Sequence, residues 1–208
     1  MKTKQGFTMA ALQTGMAVPF LYFGTQLAAA LFFPGYSFLS MPASLLGSDQ
    51  STYPMIFNAG AILTGIATLL ASVGFLLAFQ QLKANPILAW LTTIAIALNG
   101  LGSLWAGFIP MPDPRHGSNP FALGILLLPA LLALTLWKRN DAGAIKIYLV
   151  ITNLLFIALI LVMSGIVDIG TRAYPGLLQR VIALVFFPPV GVGAYFLAKR
   201  IKPSQPLN

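Results

Sequence analysis

The stretch of sequence that decides the fold spans residues 54–80 and reads PMIFNAGAILTGIATLLASVGFLLAFQ. It holds no charged residue, and it is longer than the roughly 20 apolar residues with which a helix crosses a membrane. Its apolar residues follow one another without the alternation that is typical of a membrane β-strand. The stretch therefore predicts a transmembrane α-helix.

The rest of the 208-residue chain resembles this stretch in composition. Hydrophobic residues make up 58% of the whole chain and charged residues 8%, whereas a soluble domain carries about 25% charged residues. We therefore predict an all-α integral membrane protein, with a single transmembrane domain over residues 1–208 folded as a six-helix bundle. The predicted spans cover, approximately, residues 6–33, 54–80, 86–109, 121–137, 144–167 and 177–198.

The basic residues predict the orientation of this bundle. Nine of the 12 Lys and Arg residues fall on one side of the predicted membrane, and the richer side usually faces the cytoplasm. Both termini are therefore predicted to be cytoplasmic (N-in/C-in), in the cytoplasmic (inner) membrane. The net charge of +8 suits contact with membrane lipids rather than nucleic acid, because no basic soluble segment is present. The three basic residues on the other side are Arg115, Arg172 and Arg180.

Several kinds of site are excluded by composition. The chain has no cysteine, which removes disulfides, thiol nucleophiles and cysteine-ligated metals. It has one histidine, His116, too few for a histidine-rich metal site or bis-histidine haem ligation. No phosphate-binding glycine loop or nucleophile elbow is present. We expect neither a metal site nor a cofactor. The missing carboxylate at mid-membrane depth also argues against proton-coupled transport.

Small and polar residues inside the spans predict how the helices meet. Glycines should let the second and third helices approach closely, and amides should form hydrogen bonds between helices. The glycines are Gly60, Gly65, Gly74, Gly100, Gly102 and Gly107, and the amides are Gln13, Gln26, Asn58, Asn99 and Asn153.

One outer loop is a candidate for catalysis. Residues 109–118 read IPMPDPRHGS, in which three prolines stiffen a segment that presents an Asp, an Arg and a His. His116 is the candidate general base, and Asp113 or Asp49 is the candidate carboxylate that orients it. The alternatives are that Asp113 pairs with Arg115, that His116 caps the next helix, and that Asp49 caps the second helix.

The outer arginines are candidates for binding an anion. Arg180 lies just inside the last predicted span, where a charge needs a partner or must reach the interface. Such a guanidinium can bind a phosphate or carboxylate through two hydrogen bonds. The alternative is a structural Asp–Arg pair. The predicted ligand-binding residues are Arg180, Arg172, Arg115, Asp168, Tyr36, Tyr53 and Asn58.

Four segments, taken in order, carry a resemblance to a known family. They are Phe33-Pro34-Gly35-Tyr36-Ser37 with Leu39-Ser40, Phe57-Asn58-Ala59-Gly60, Ile109-Pro110 followed by His116, and Gly176-Leu177-Leu178-Gln179-Arg180. With these segments the chain resembles the bacterial and archaeal polytopic family catalogued as domain of unknown function 998. A looser likeness is to the FRAG/DRAM/SFK six-span proteins, some of which are linked to lipid or GPI-anchor handling. The resemblance implies a polytopic membrane fold and no particular activity.

Three functions are consistent with these features. The leading hypothesis is that an outer vestibule under the first loop binds a lipid headgroup or a small anionic ligand. The second is an enzyme acting on lipid-linked substrates with His116 and an Asp. The third is a structural or assembly subunit that contacts a partner protein or forms a homo-oligomer. A deep cavity that reaches Arg180 favours lipid or ligand binding, whereas a filled bundle with an exposed apolar loop favours a partner protein.

Overall fold

The computed structural model describes residues 2–167, 170 and 173–201, and this part of the chain is helical without any strand. Within these described residues, six α-helices are joined by loops that include short 3₁₀ segments. The α-helices are α1 (Lys2–Ala30), α2 (Pro54–Gln81), α3 (Pro86–Phe108), α4 (Ala122–Leu136), α5 (Gly143–Met163) and α6 (Pro175–Ala198). The 3₁₀ segments are Ala43–Gly47, Pro114–Gly117 and Asn140–Ala142.

Four helical segments in the described chain are long and apolar enough to cross a membrane. They are Pro54–Gln81, Pro86–Phe108, Asn140–Met163 and Pro175–Ala198, and α4 contributes the shorter apolar segment Leu126–Leu136. The chain is therefore an integral membrane protein with transmembrane helices. That α1 and α4 also cross the membrane, giving six spans, stays a prediction.

Local sequence signals explain where several helices begin. Proline occupies the first position of α2, α3 and α6, where its missing N–H has no helical partner to lose. The Asn85 side chain accepts a hydrogen bond from the Leu88 N–H at 3.1 Å and so caps α3. The predicted starts of α2 at Pro54 and α3 at Pro86 are confirmed.

Successive helices run in opposite directions, so the connecting segments gather at two ends of the bundle. We call one the loop end, formed by residues 31–53, 109–121 and the described part of 164–174. The other is the terminal end, formed by the N-terminus and residues 82–85, 137–142 and 199–201. At the terminal end, the Asp141 carboxylate forms salt bridges with Arg139 and Arg200. Its Oδ2 lies 2.8 Å from Arg139 Nη2 and 3.0 Å from Arg200 Nε.

Helix α2 is central and packs closely on both α1 and α3. A Cβ added to Gly65 would lie 2.8 Å from the Gly100 carbonyl oxygen, which confirms the predicted close approach of α2 and α3. The prediction is wrong for three other glycines, because they face different neighbours. Gly60 and Gly74 lie against α1, and Gly102 lies against Asn119.

The polar contacts between helices come mainly from threonines. Thr14 of α1 donates to the Ala67 carbonyl of α2 at 3.0 Å, and Thr92 bonds Thr135 of α4 at 2.8 Å. The predicted amide bridges are wrong for Gln26 and Asn153, whose amide N–H groups donate to carbonyls of their own helices. Asn99 does bridge two helices, and its contact belongs to the site described next.

Candidate functional site

A cavity of about 210 Å³ lies at the loop end, among α1, α2, α3 and α6 and under the 3₁₀ segment that carries Ser44. It reaches Asn99, nine residues before the end of α3, which corresponds to a depth of about 13 Å at 1.5 Å per residue. Its lining combines aromatic and aliphatic walls with polar side chains. The polar members are Tyr22, Ser44, Asn99, Ser103, His116, Asn119 and Gln179.

Asn99 is the most deeply buried polar residue of this lining, at 1% exposure. Its Nδ2 makes a long hydrogen bond of 3.5 Å to the Phe186 carbonyl of α6. Its Oδ1 is buried and has no partner in the described part of the protein. An unsatisfied buried acceptor costs about 1–3 kcal/mol, so this oxygen favours an occupant of the cavity that donates a hydrogen bond.

His116 reaches the cavity from the 3₁₀ segment Pro114–Gly117. Its Nδ1 lies 2.6 Å from the Ile109 carbonyl oxygen. A carbonyl only accepts, so Nδ1 must carry the proton, and Nε2 of the neutral ring is then an acceptor. The indole of Trp105 donates to the Arg115 carbonyl at 3.0 Å and ties the segment to α3. The Ile109 carbonyl therefore holds the neutral His116 ring in the tautomer that is protonated at Nδ1.

Asp113 does not orient this ring. It accepts from the Arg115 backbone N–H at 2.9 Å and pairs with the Arg115 guanidinium at 2.6 Å. The Arg115 side chain lowers the pKa of the Asp113 carboxyl to about 2. The described contacts therefore match the alternative Asp113–Arg115 pair. Asp49 is exposed in the first loop and does not line the cavity.

Arg180 lies beside the cavity but points its guanidinium into the first loop. Nη1 donates to the carbonyls of Phe38, Met41 and Gly176 at 2.7, 3.2 and 2.8 Å, and Nη2 donates to the Tyr36 hydroxyl. The guanidinium also lies over the Phe38 ring, 4.7 Å from its centroid. We call these five residues the Arg180 cluster. Its partners in the described chain are carbonyls and a phenol, not the aspartates that the alternative pair required.

Within the Arg180 cluster, Tyr36 closes a short chain of hydrogen bonds. Its hydroxyl accepts from Arg180 and lies 3.2 Å from the Met41 carbonyl and 3.1 Å from that of Pro42, to which it can donate. Burial raises the pKa of Tyr36, although its hydrogen bond with Arg180 acts in the opposite direction. The Arg180 Nε is buried without a partner among the described residues.

The other predicted ligand residues are dispersed. Tyr53 is 56% exposed and packs its ring edge-on against Phe32. Asn58 is buried and donates to the Gly47 carbonyl at 3.0 Å. Asp168 and Arg172 lie outside the described residues. Of the predicted site residues that the structure describes, His116 alone lines the cavity.

Sequence reasoning missed Ser103 and Gln179, and it assigned Asn99 to helix packing alone. Gln179 accepts the Ala43 N–H through Oε1, which leaves its amide N–H groups available as donors. The available signal was spacing: Asn99 and Ser103 lie four residues apart and so share one face of α3 with Gly102 and Ala106. A face made of polar and small residues is consistent with a space beside it.

The described part of this lining offers hydrogen bonding without fixed charge. None of the described lining residues is Lys, Arg, Asp or Glu. No group of three metal-ligating side chains occurs within the described residues. Acceptors are offered by Asn99 Oδ1 and His116 Nε2, and a donor by the Gln179 amide. This set matches a hydroxyl or amide group of an uncharged molecule.

No curated protein and no solved structure matches this chain. A family model described as "Protein of unknown function (DUF998)" matches residues 16–194, in agreement with the resemblance of the four segments. The match covers most of the helical bundle and the whole cavity lining, and the chain therefore belongs to the DUF998 family.

Proposed function

We propose that this membrane protein binds the uncharged, hydrogen-bonding head of a membrane lipid in the cavity under residues 31–53. The observation that carries the proposal is the buried, unpartnered Oδ1 of Asn99 on the cavity wall. A lipid hydroxyl placed there would donate to this oxygen, and its own oxygen could accept from an amide such as that of Gln179.

The position and walls of the cavity favour a lipid over a water-soluble ligand. Asn99 lies about 13 Å from the end of α3, a substantial fraction of a bilayer core of about 30 Å. Around the polar groups the walls are apolar, with Phe57, Ile182, Phe186 and Phe187 among them. Ligand sites of this kind combine mostly apolar walls with a few polar groups that fix orientation.

The same lining disfavours the anionic ligand of the leading sequence hypothesis. The two described outer arginines are engaged elsewhere, Arg115 with Asp113 and Arg180 with the first loop. An anion in the cavity would lose hydration without gaining a cationic partner among the described lining residues, which is costly in a membrane interior. The lipid half of that hypothesis is therefore the part we retain.

The test is to identify lipids that remain bound after mild purification, by native mass spectrometry of wild type and two variants. Asn99→Leu removes the acceptor at similar volume. Asn153→Leu is the matched control, because Asn153 lies on α5 and bonds within its own helix. We expect an uncharged lipid on wild type and Asn153→Leu, and its loss from Asn99→Leu. Equal retention by all three, or no lipid on any of them, would overturn the proposal.

A second function, an enzyme on lipid-linked substrates, is favoured by one observation. His116 lies on the cavity wall with Nδ1 fixed as a donor, which leaves Nε2 as a base facing no described partner. Its orienting group would be the Ile109 carbonyl instead of an aspartate. If the bound lipid is a substrate, His116→Gln should cause the intact lipid to accumulate, whereas Asp113→Asn should not.

We also propose that the loop end faces outward and the terminal end faces the cytoplasm, in the cytoplasmic membrane. The support is the separation of charge between the two ends. Described cations dominate the terminal end, where Asp141 is their described acidic partner, whereas Asp113 and Arg115 compensate each other at the loop end.

A further inference from the structure

A second space lies next to the cavity, and it is an apolar groove of about 440 Å³ among α4, α5 and α6. Leu126 lines it from α4, and Phe156, Leu159 and Ile160 line it from α5. The one hydroxyl among its described lining residues, that of Ser164, already donates to the Leu161 carbonyl at 3.0 Å. The described lining of the groove therefore offers hydrocarbon contact and no free hydrogen-bonding side chain.

The groove and the cavity share a wall. Ile182 and Phe186, one turn apart on α6, line both spaces. The Phe186 carbonyl accepts from Asn99 on the cavity side, and its ring packs edge-on against Phe156 at 5.6 Å on the groove side. These two side chains thus lie against both the polar cavity and the apolar groove.

The helix that forms the far side of the groove is loosely packed. Only 22% of the apolar window of the 140–163 segment is buried, compared with 56% for α6. The exposed residues of α5 (Gly143–Met163) are apolar, so this side of the groove borders the hydrocarbon of the bilayer. A molecule in the groove can be reached sideways from the membrane.

The volumes indicate that the two spaces act together. Ligand sites commonly measure about 300–1,000 Å³. The cavity, at about 210 Å³, is too small for a whole lipid, and the groove, at about 440 Å³, provides no polar anchor. A molecule with an uncharged head and a hydrocarbon chain fits both requirements.

We propose that the lipid bound by its head in the cavity places a hydrocarbon chain in this groove, passing between Ile182 and Phe186. This inference rests on the proposed function and adds the ligand class, an uncharged acyl or alkyl lipid, and its lateral route from the bilayer. Phe186 is then a positioning residue that contacts the ligand on one side and orients Asn99 through its carbonyl on the other.

The experiment uses the full-length protein in vesicles containing a diacylglycerol with a diazirine in one acyl chain. Specific labelling is the part that excess unlabelled diacylglycerol removes, mapped by peptide mass spectrometry. Ile160→Trp fills the groove, and Ile157→Trp is its matched control. Ile157 lies one turn away on the same helix, is absent from the groove lining and is similarly exposed, at 53% against 44%.

We expect specific labelling of α5 and α6 in wild type and Ile157→Trp. Specific labelling should fall roughly tenfold in Ile160→Trp. A tenfold loss of affinity corresponds to about two methylene groups of the acyl chain that are no longer buried. Asn99→Leu should lower specific labelling as well. If Ile160→Trp leaves specific labelling unchanged, this inference is wrong. The proposed function is then still tested separately by the lipid-retention experiment. Labelling that responds to Ile160→Trp but not to Asn99→Leu means an independent chain site, which also overturns this inference.

Discussion

The guanidinium of Arg180 and the hydroxyl of Tyr36 are joined by a hydrogen bond across 144 residues of sequence, where the first loop meets the start of α6. Around this bond, Leu177 donates to the Leu39 carbonyl at 2.9 Å, and a Cβ on Gly176 would collide with the carbonyls of Phe38 and Met41. The first loop is thus fastened to α6 beside the cavity. Arg180 thus holds in place the loop segment that lies beside the cavity.

Replacing Arg180 should therefore detach this loop segment. Arg180→Met removes hydrogen bonds to three carbonyls and to Tyr36, and hydrogen bonds to charged groups contribute about 1.5–3 kcal/mol each without being additive. We expect a loss of about 2–4 kcal/mol in stability and faster proteolysis within residues 31–53. Thermal unfolding in detergent and limited proteolysis measure the two effects.

Arg115→Met is the control for this variant. The Arg115 side chain is 70% exposed, and exposed ion pairs contribute about 0–1 kcal/mol. Equal effects of the two substitutions would contradict the structural role assigned to Arg180. The loss of stability in Arg180→Lys should lie between those of Arg180→Met and Arg115→Met. The lysine ammonium keeps the positive charge but lacks the planar set of N–H donors of a guanidinium.

Tyr36 should make the stability contributed by the Arg180 cluster depend on pH in the alkaline range. Burial raises the pKa of Tyr36 above the ordinary value of 10.0, so folding favours the neutral phenol. The contribution of this phenol is fully present below 10.0 and is lost as the pH rises through the raised pKa. We expect the stability difference between wild type and Tyr36→Phe to be constant from neutral pH up to 10.0 and to shrink as the pH rises from there through the raised pKa.

Thermal unfolding as a function of pH measures this difference. Tyr53→Phe provides the comparison, because Tyr53 lies at the same end but outside the Arg180 cluster. A difference between wild type and Tyr36→Phe that grows above the ordinary pKa would contradict the assigned burial.

The helices could be predicted from sequence because their signals are local. The start of α3 is encoded by Asn85 and Pro86 themselves, and the apolar runs encode the existence of the helices. The partner of Arg180 could not be predicted in the same way. Sequence indicated that this charge needed a partner, but backbone carbonyls carry no residue-type signal, so aspartates were the visible candidates.

Asn99 shows why the site was only partly predictable. An intramembrane asparagine has the same sequence signature whether it bonds a neighbouring helix or faces a cavity. Its Nδ2 bonds the Phe186 carbonyl of α6, whereas its Oδ1 is buried without a described partner although the residue lines the cavity. This division depends on how α3 packs against α6. His116 was identifiable because the chain has one histidine, yet its tautomer is set by the Ile109 carbonyl seven residues away.

The contact of Gly65 with Gly100 predicts a position that tolerates no side chain. An added Cβ at Gly65 would lie 2.8 Å from a backbone carbonyl and 2.7 Å from Leu104 Cγ. Gly65→Ala should therefore destabilise the protein by about 1–3 kcal/mol through overpacking. Gly24→Ala on α1 is the control, since nothing lies within 4 Å of its added Cβ. It should be neutral or stabilise by up to about 1 kcal/mol. Thermal unfolding distinguishes the two, and a stable Gly65→Ala variant would contradict the close approach.

Single cysteines test the orientation and the number of spans, because the natural chain has no thiol to compete. Thr3, Ser40, Ser118 and Asn140 are all exposed. Thr3 lies in the first turn of α1 and Ser40 beyond its end, and Ser118 and Asn140 lie before and after α4, so the two pairs mark the ends of the two helices whose crossing stays a prediction. In intact cells, a membrane-impermeant maleimide should label Ser40→Cys and Ser118→Cys, whereas Thr3→Cys and Asn140→Cys should react only after lysis. Labelling of Thr3→Cys and Ser40→Cys from the same side would mean that α1 does not cross. Labelling of Ser118→Cys and Asn140→Cys from the same side would mean that α4 does not cross the membrane. The complete pattern with inside and outside exchanged would keep six spans but reverse the orientation, and the cavity would then open to the cytoplasm.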